Sequence, residues 1–254
     1  MSLAACADIV ERGDPHRFKC AMAAPHAAQD KLLPLYAFNI EISRAPWVTQ
    51  EPMIAEMRLQ WWRDALEEIG DGKTVRSHEV TQPLCDIVRA AGIPVKLLDQ
   101  MITARRWDIY RDAFEDQDHF DEYVDQTSGN LMWSSMLALQ SPSEHEQDVR
   151  DLGYGYGVAS ILQAAAELEN RGRKPLVDGT ETGIKSLAKT ALARVYSCSQ
   201  KGRKLAPALW PGYLAKPLLR QAIDEPSRVA DGNLELSEFT KNWRLLRRQA
   251  FGLN

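Results

Sequence analysis

Between Leu35 and Trp62 two helical repeats meet at a proline, and no other stretch constrains the chain so tightly. Leu35, Phe38, Ile42 and Ala45 form an apolar stripe at three- and four-residue spacing. Ala45-Pro46-Trp47 then predicts a break, because proline lacks an amide proton and restricts the residue before it. The spacing predicts a second helix over 52–69. There Glu56, Gln60, Arg63, Asp64 and Glu67 share a polar arc. Met57, Leu59, Trp61, Trp62, Ala65, Leu66 and Ile69 fill an opposite arc of roughly 200°. So wide an apolar arc predicts packing on two sides.

Nearly every other segment shares the helical period, and no run of alternating β-branched residues stands out. Pro and Gly punctuation predicts helices near 3–12, 16–23, 26–45, 52–69, 80–91, 94–115, 118–139, 143–171, 182–204, 212–223 and 234–250, with breaks that include Pro83 and Gly183. With no internal repeat and no long linker, residues 1–254 read as one all-α domain.

At 44% hydrophobic and 26% charged residues the composition is that of a globular protein. No apolar run approaches the roughly 20 residues of a membrane span. Met1 to Asp14 lacks the pattern of a secretory signal, so the expected location is cytoplasmic. Cys6, Cys20, Cys85 and Cys198 have no metal-ligand spacing and read as reduced thiols. Residues 1–150 carry 15 Lys and Arg against 25 Asp and Glu, whereas residues 151–254 carry 16 against 10. The acidic balance argues against a nucleic-acid partner, and the basic second half suits an anionic one.

Several polar residues fall where apolar ones are expected. Arg58 sits in the middle of the apolar arc, between Ala65 and Ile69. A cation there either snorkels to a neighbouring helix or contacts an anion in a cavity. Tyr36, Asn39 and Ser43 line up beside the first apolar stripe, as a cavity wall or a hydrogen-bonded seam. Gly153, Gly157, Ser160, Ala164 and Leu168 share a face of the 143–171 helix. Each helical glycine costs about 1 kcal/mol relative to alanine, so close helix approach or a cavity floor must offset it. That helix ends in Arg171-Gly172-Arg173-Lys174, cations suited to a helix C-terminus. Asp108/Asp112 and Asp121/Asp125 have the i, i+4 spacing of a solvated face or a divalent-cation site. Gly153-Tyr154-Gly155-Tyr156-Gly157 lacks the strand and spacing of a dinucleotide fingerprint.

Tyr36-Ala37-Phe38, the Arg58…Trp61-Trp62-Arg63 block and Arg171-Gly172-Arg173 together resemble the squalene/phytoene synthase family. Trp107-Asp108 and Tyr123…Gly129-Asn130-Leu131-Met132 follow in the family's order. The resemblance implies an all-α isoprenoid-synthase bundle around a central cavity. It also implies two aspartate motifs whose Mg²⁺ ions hold prenyl diphosphates and stabilise the leaving group. Here the first motif's positions hold Ser43, Arg44 and Trp47, and the second's fall on Ala164 and Leu168. Tyr-Ala-Phe-Asn-x-Glu with Arg-Leu-Gln-Trp-Trp-Arg-Asp-Ala-Leu is similar to a divergent branch that includes a mitochondrial assembly factor for respiratory complex I.

The expectation is therefore a family member without the usual metal chemistry. It would be an isoprenoid- or lipid-binding accessory or assembly factor, with a protein of a respiratory complex as partner and no cofactor. Pocket residues carried over or read from the helices are Tyr36, Asn39, Ser43, Arg58, Trp62, Asp108, Tyr123, Ser160, Ala164 and Arg171; none is assigned to catalysis or metal binding. The alternative is an active prenyltransferase with Mg²⁺ relocated to Asp108, Asp112, Asp121 or Asp125. Lys241 to Arg248, with Trp243 and Leu246 on one side, suits either a packed terminal helix or peripheral contact with the inner membrane.

Overall fold

The computed structural model describes residues 3–110, 112–140, 146–197 and 206–251. Its helices are α1 (Leu3–Gly13), α2 (Pro15–Met22), α3 (His26–Arg44), α4 (Pro52–Gly70), α5 (Thr81–Ala91), α6 (Val95–Arg105), α7 (Trp107–Tyr110), α8 (Gln117–Val124), a π-helix (Asp125–Gly129), α9 (Asn130–Ala138), α10 (Glu146–Asn170), α11 (Glu181–Ser197), a 3₁₀ helix (Pro207–Leu214), α12 (Ala215–Asp224), α13 (Ser227–Ala230) and α14 (Glu238–Phe251). No strand occurs among the described residues. Two compact units divide the chain: segments 1–110, 130–143 and 206–208 form one, and 111–129, 144–205 and 209–254 the other.

In the first unit α3 is the central helix. Every residue from Leu32 to Ile40 is buried, polar Asn39 among them, as expected of a helix packed on all sides. It meets α1, α2, α4, α5, α6 and α9. Asp14 caps α2, its carboxylate accepting the Arg17 amide at 2.8 Å while Pro15 fills the first helical position. α4 also starts on a proline, Pro52, without a side-chain cap, and buries Ala55, Leu59, Trp62, Ala65, Leu66 and Ile69. That stripe is narrower than the sequence arc. Of the predicted arc, Met57 is 66% exposed, while α4 meets α3, α5, α6 and α7.

In the second unit α10 is central, buried all round from Leu152 to Ala159. Glycine permits its close neighbours. A Cβ on Gly153 would lie 3.0 Å from Gly129 Cα and 3.1 Å from Ser128 O, so only hydrogen lets α10 pass the π-helix backbone. Close approach is thus the reason for the glycine face. α10 ends in a Schellman turn: Gly172 adopts φ +77°, its amide reaches Glu169 O at 2.8 Å, and the Arg173 amide reaches Leu168 O at 3.0 Å.

Two expected breaks and one expected helix differ. Pro83 and Gly183 fall in the first turns of α5 and α11, where a missing amide donor or side chain costs little. The predicted 94–115 helix is divided into α6 and α7, the latter ending at Tyr110, and the described residues 112–116 before α8 are irregular. The Ser141-Pro142 break and the part of the 182–204 helix beyond Ser197 lie outside the described residues.

Candidate functional site

An aromatic cluster gives the first unit its most distinctive surface. Trp62 is 4% exposed and meets Phe38, Trp61 and His78 edge-on, with ring centres 5.4, 5.1 and 5.1 Å apart. Such tilted pairs add stabilisation beyond the area they bury. His78 belongs to the irregular 71–80 loop, which is tied down by Arg76. The Arg76 guanidinium donates to Glu68 at 2.9 Å, to Asp64 at 3.3 Å and to Trp61 O at 3.2 Å. The Arg76 amide also donates to Glu68 at 2.9 Å. These bonds favour the ionised carboxylate and hold Glu68 below its ordinary range.

Against this cluster lies a cavity of about 450 Å³, lined by Glu41 of α3 and Ala45 just after it, Ile54, Met57, Arg58, Trp61 and Trp62 of α4, and His78. Arg58 is exposed at its edge and Glu41 half-buried, and neither makes an ion pair or hydrogen bond among the described residues. The sequence placed Arg58 either against a neighbouring helix or in a cavity; it lines the cavity. Sequence reasoning missed Glu41 and His78. Glu41 lies off the polar row of its helix, and His78 sits in a segment without periodicity, so neither carried a signal.

The other expected residues of this unit lie elsewhere in it. Tyr36 is 2% exposed. Burial pushes its hydroxyl well above the usual tyrosine range, against the pull of Arg17, 5.9 Å from the ring centre, and of a bond to Ser135. Asn39 is buried, and the Ser43 hydroxyl donates to Ile40 O of its own helix at 3.0 Å. Asp108 is 6% exposed and accepts from Arg105 at 3.2 Å.

In the second unit Tyr123 is buried against Phe114, ring centres 5.4 Å apart. Ser160 donates to Tyr156 O at 2.9 Å, and Ala164 is half-buried. Arg171 is exposed and bonded to Glu167 at 2.7 Å. Its neighbour Arg173 is the buried cation, 5% exposed, because the left-handed turn at Gly172 reverses the chain beneath the helix end.

Asp108, Asp121 and Asp125 are already engaged. Asp121 accepts from Tyr154 Oη at 2.6 Å and from Arg194 at 3.1 Å, and Asp125 pairs with Arg150 at 3.0 Å. Asp112 is exposed. Among the described residues no three His, Cys, Asp or Glu side chains converge as a metal site. At the positions where the family would hold Mg²⁺, one unit offers a hydroxyl, a guanidinium and an indole (Ser43, Arg44, Trp47), and the other two aliphatic side chains (Ala164, Leu168). Mg²⁺ requires hard oxygen ligands, chiefly carboxylates, so these residues do not fit it.

Comparison with known proteins gives a consistent picture. The family model of squalene/phytoene synthases matches residues 10–176. A Drosophila melanogaster protein named as a homolog of NADH dehydrogenase (ubiquinone) complex I assembly factor 6 is 29% identical over 168 residues, 63% of this chain and 49% of that one. The Homo sapiens protein of that name is 20% identical over 160 residues, 63% and 48% of the two chains. The chain thus spans about half the length of these relatives. Among solved structures, a dehydrosqualene synthase superposes with TM-score 0.79 at 15% identity, covering 98% of this chain and 95% of its own. Squalene synthase HpnC from Alicyclobacillus acidocaldarius gives TM-score 0.65 at 13% identity, over 97% and 93%. At such identity these establish the isoprenoid-synthase fold and nothing finer.

Proposed function

This chain belongs to the squalene/phytoene synthase family, and from that premise we propose that it is a non-catalytic accessory or assembly factor with a lipid or isoprenoid ligand. One observation carries the reading. The five positions expected to bind the metal–diphosphate complex hold Ser43, Arg44, Trp47, Ala164 and Leu168, which offer no carboxylate to hold the Mg²⁺ that would stabilise a departing diphosphate. The relatives named as complex I assembly factors support a respiratory-complex partner. Asp121 and Asp125, engaged by arginines, count against a relocated Mg²⁺ site.

The test is direct. Purified protein with Mg²⁺ and farnesyl or geranylgeranyl diphosphate should release no pyrophosphate and form no C30 or C40 product. Turnover of either substrate overturns the reading. Deleting the protein should lower the amount of assembled NADH dehydrogenase on native gels, and an unchanged amount removes the assembly role.

A peripheral membrane contact belongs to the same proposal. Among the described residues no helix is long and apolar enough to cross a membrane. α14 packs through Leu245 and Arg248, whose guanidinium donates to Leu209 O at 3.0 Å. Phe239, Trp243 and Leu246 stay exposed at helical spacing, with Lys241 and Arg247 beside them. Such a face suits an anionic lipid surface. Vesicle sedimentation that survives replacement of Phe239, Trp243 and Leu246 by serine would exclude it.

A further inference from the structure

We propose that the cavity between α3, α4 and the 71–80 loop binds a zwitterionic phospholipid headgroup, with phosphate on Arg58 and ammonium on Glu41. This deepens the lipid-binding part of the proposed function and rests on that part alone, not on the assembly role.

The first argument is charge. Other arginines on or against α4 are committed: Arg63 to Asp99 at 2.7 Å, Arg76 to Glu68 at 2.9 Å and Arg106 to Glu56 at 2.9 Å. Arg58 and Glu41 are not, although they line one cavity and carry opposite charges. They are also not paired with each other, so the two charges stand more than a salt-bridge length apart. A purely anionic ligand would meet Glu41 and a purely cationic one Arg58. A molecule carrying both charges satisfies both residues, and repulsion rejects the alternatives.

The second argument is the donor set. The Val80 amide donates to His78 Nδ1 at 3.2 Å, so the neutral ring carries its proton on Nε2. That N–H has no partner among the described residues. The ring is held by Trp61 and Trp62, with centres 5.4 and 5.1 Å away. A phosphodiester oxygen can thus take one donor from Arg58 and a second from His78.

The third argument separates a lipid from a soluble zwitterion. At about 450 Å³ the cavity falls in the range of small-molecule sites, roughly 300–1,000 Å³. Its apolar lining continues outward along α4. Ile54 and Met57 line it and are exposed, Met53 lies one turn before Met57, and Trp47 and Val48 of the preceding loop are 38% and 45% exposed. Apolar residues grouped beside a charged cavity suit acyl chains attached to the headgroup. Exposed methionines adapt their shape to such chains.

Calorimetric titration of the full chain with dihexanoyl phosphatidylethanolamine, below its micelle concentration, tests the proposal. The comparison ligands are dihexanoyl phosphatidic acid, hexylammonium and free phosphoethanolamine. The ethanolamine lipid should bind at least about tenfold more tightly than each of the three. Arg58→Ala and Glu41→Ala should each weaken it about tenfold, and Glu41→Ala should also strengthen phosphatidic acid. Both side chains are exposed or half-exposed, and circular dichroism should show the variants folded. Equal binding of phosphatidic acid, or full affinity in Arg58→Ala, overturns the proposal. Equal binding of free phosphoethanolamine overturns the lipid assignment in favour of a soluble zwitterion. A flat titration overturns this proposal and leaves the non-catalytic reading intact, whereas pyrophosphate release sinks that reading without affecting this one.

Discussion

Gly155 of α10 packs so tightly on Val195 of α11 that an added methyl group would overlap Val195 Cγ2. Gly155→Ala therefore sets two effects against each other. Alanine gains about 1 kcal/mol of helix propensity. Overpacking a buried site costs about 1–3 kcal/mol. The upper part of that range applies, because Val195 is 3% exposed and a helical valine has essentially one χ1 rotamer. The expected net loss is about 1–2 kcal/mol. Val195→Ala alone removes two methyl groups, about 1.6 kcal/mol of transfer energy plus a cavity term, or about 2 kcal/mol. In the double variant the obstructing Cγ2 is gone. The new methyl meets Cβ of residue 195 at 3.6 Å and Ala191 O at 3.5 Å, ordinary contacts that refill the space. The double variant should then lose about 1 kcal/mol or less, although the single losses sum to about 3 or more. Urea unfolding followed by tryptophan fluorescence and circular dichroism reads this as a midpoint shift at constant slope. Single losses that add to within about 0.5 kcal/mol, or a stabilised Gly155→Ala, would refute the close-approach reasoning.

Trp62→Ala should cost about 3–5 kcal/mol, seen in thermal unfolding, because it empties a buried site contacted by three rings; Trp62→Phe should cost less. The Glu68–Arg76 link predicts a pH dependence. Its folded-state pKa is depressed, so its contribution is complete above the ordinary value of 4.5 and is lost as pH falls through the folded value. Rate-corrected hydrogen exchange of the 71–80 amides should therefore speed up between pH 6 and pH 3, and Arg76→Gln should remove that change. Burial, then the nearby Glu79, pushes the Cys6 thiol up to about 11. At pH 8 iodoacetamide should modify Cys6 only after denaturant is added, which peptide mass mapping would report.

The helical periodicity, the breaks at Pro15, Pro46, Pro52, Gly92 and Pro175, and the all-α class were legible because they depend on neighbours along the chain. The residues at the motif positions, Ser43, Arg44, Trp47, Ala164 and Leu168, were legible for the same reason, since they are a matter of residue identity. The sequence could not show how α10 ends. Arg171 and Arg173 look alike in a basic run, and only the positive φ of Gly172 buries the second and leaves the first exposed. The π-helix at 125–129 was equally hidden, because its extra residue per turn is no feature of periodicity.

The Leu35–Trp62 stretch divides along the same line. The sequence by itself determined its two helices, the break between them and an apolar arc with one cation inside. Tertiary structure decided which part of the arc is buried. Leu59, Trp62 and Leu66 are buried, with Trp62 against Phe38 of α3, while Ile54, Met57 and Arg58 are left around a cavity that Glu41 and His78 complete. Helical periodicity states which side chains share a face. Whether a neighbour covers that face depends on contacts between residues far apart in the chain.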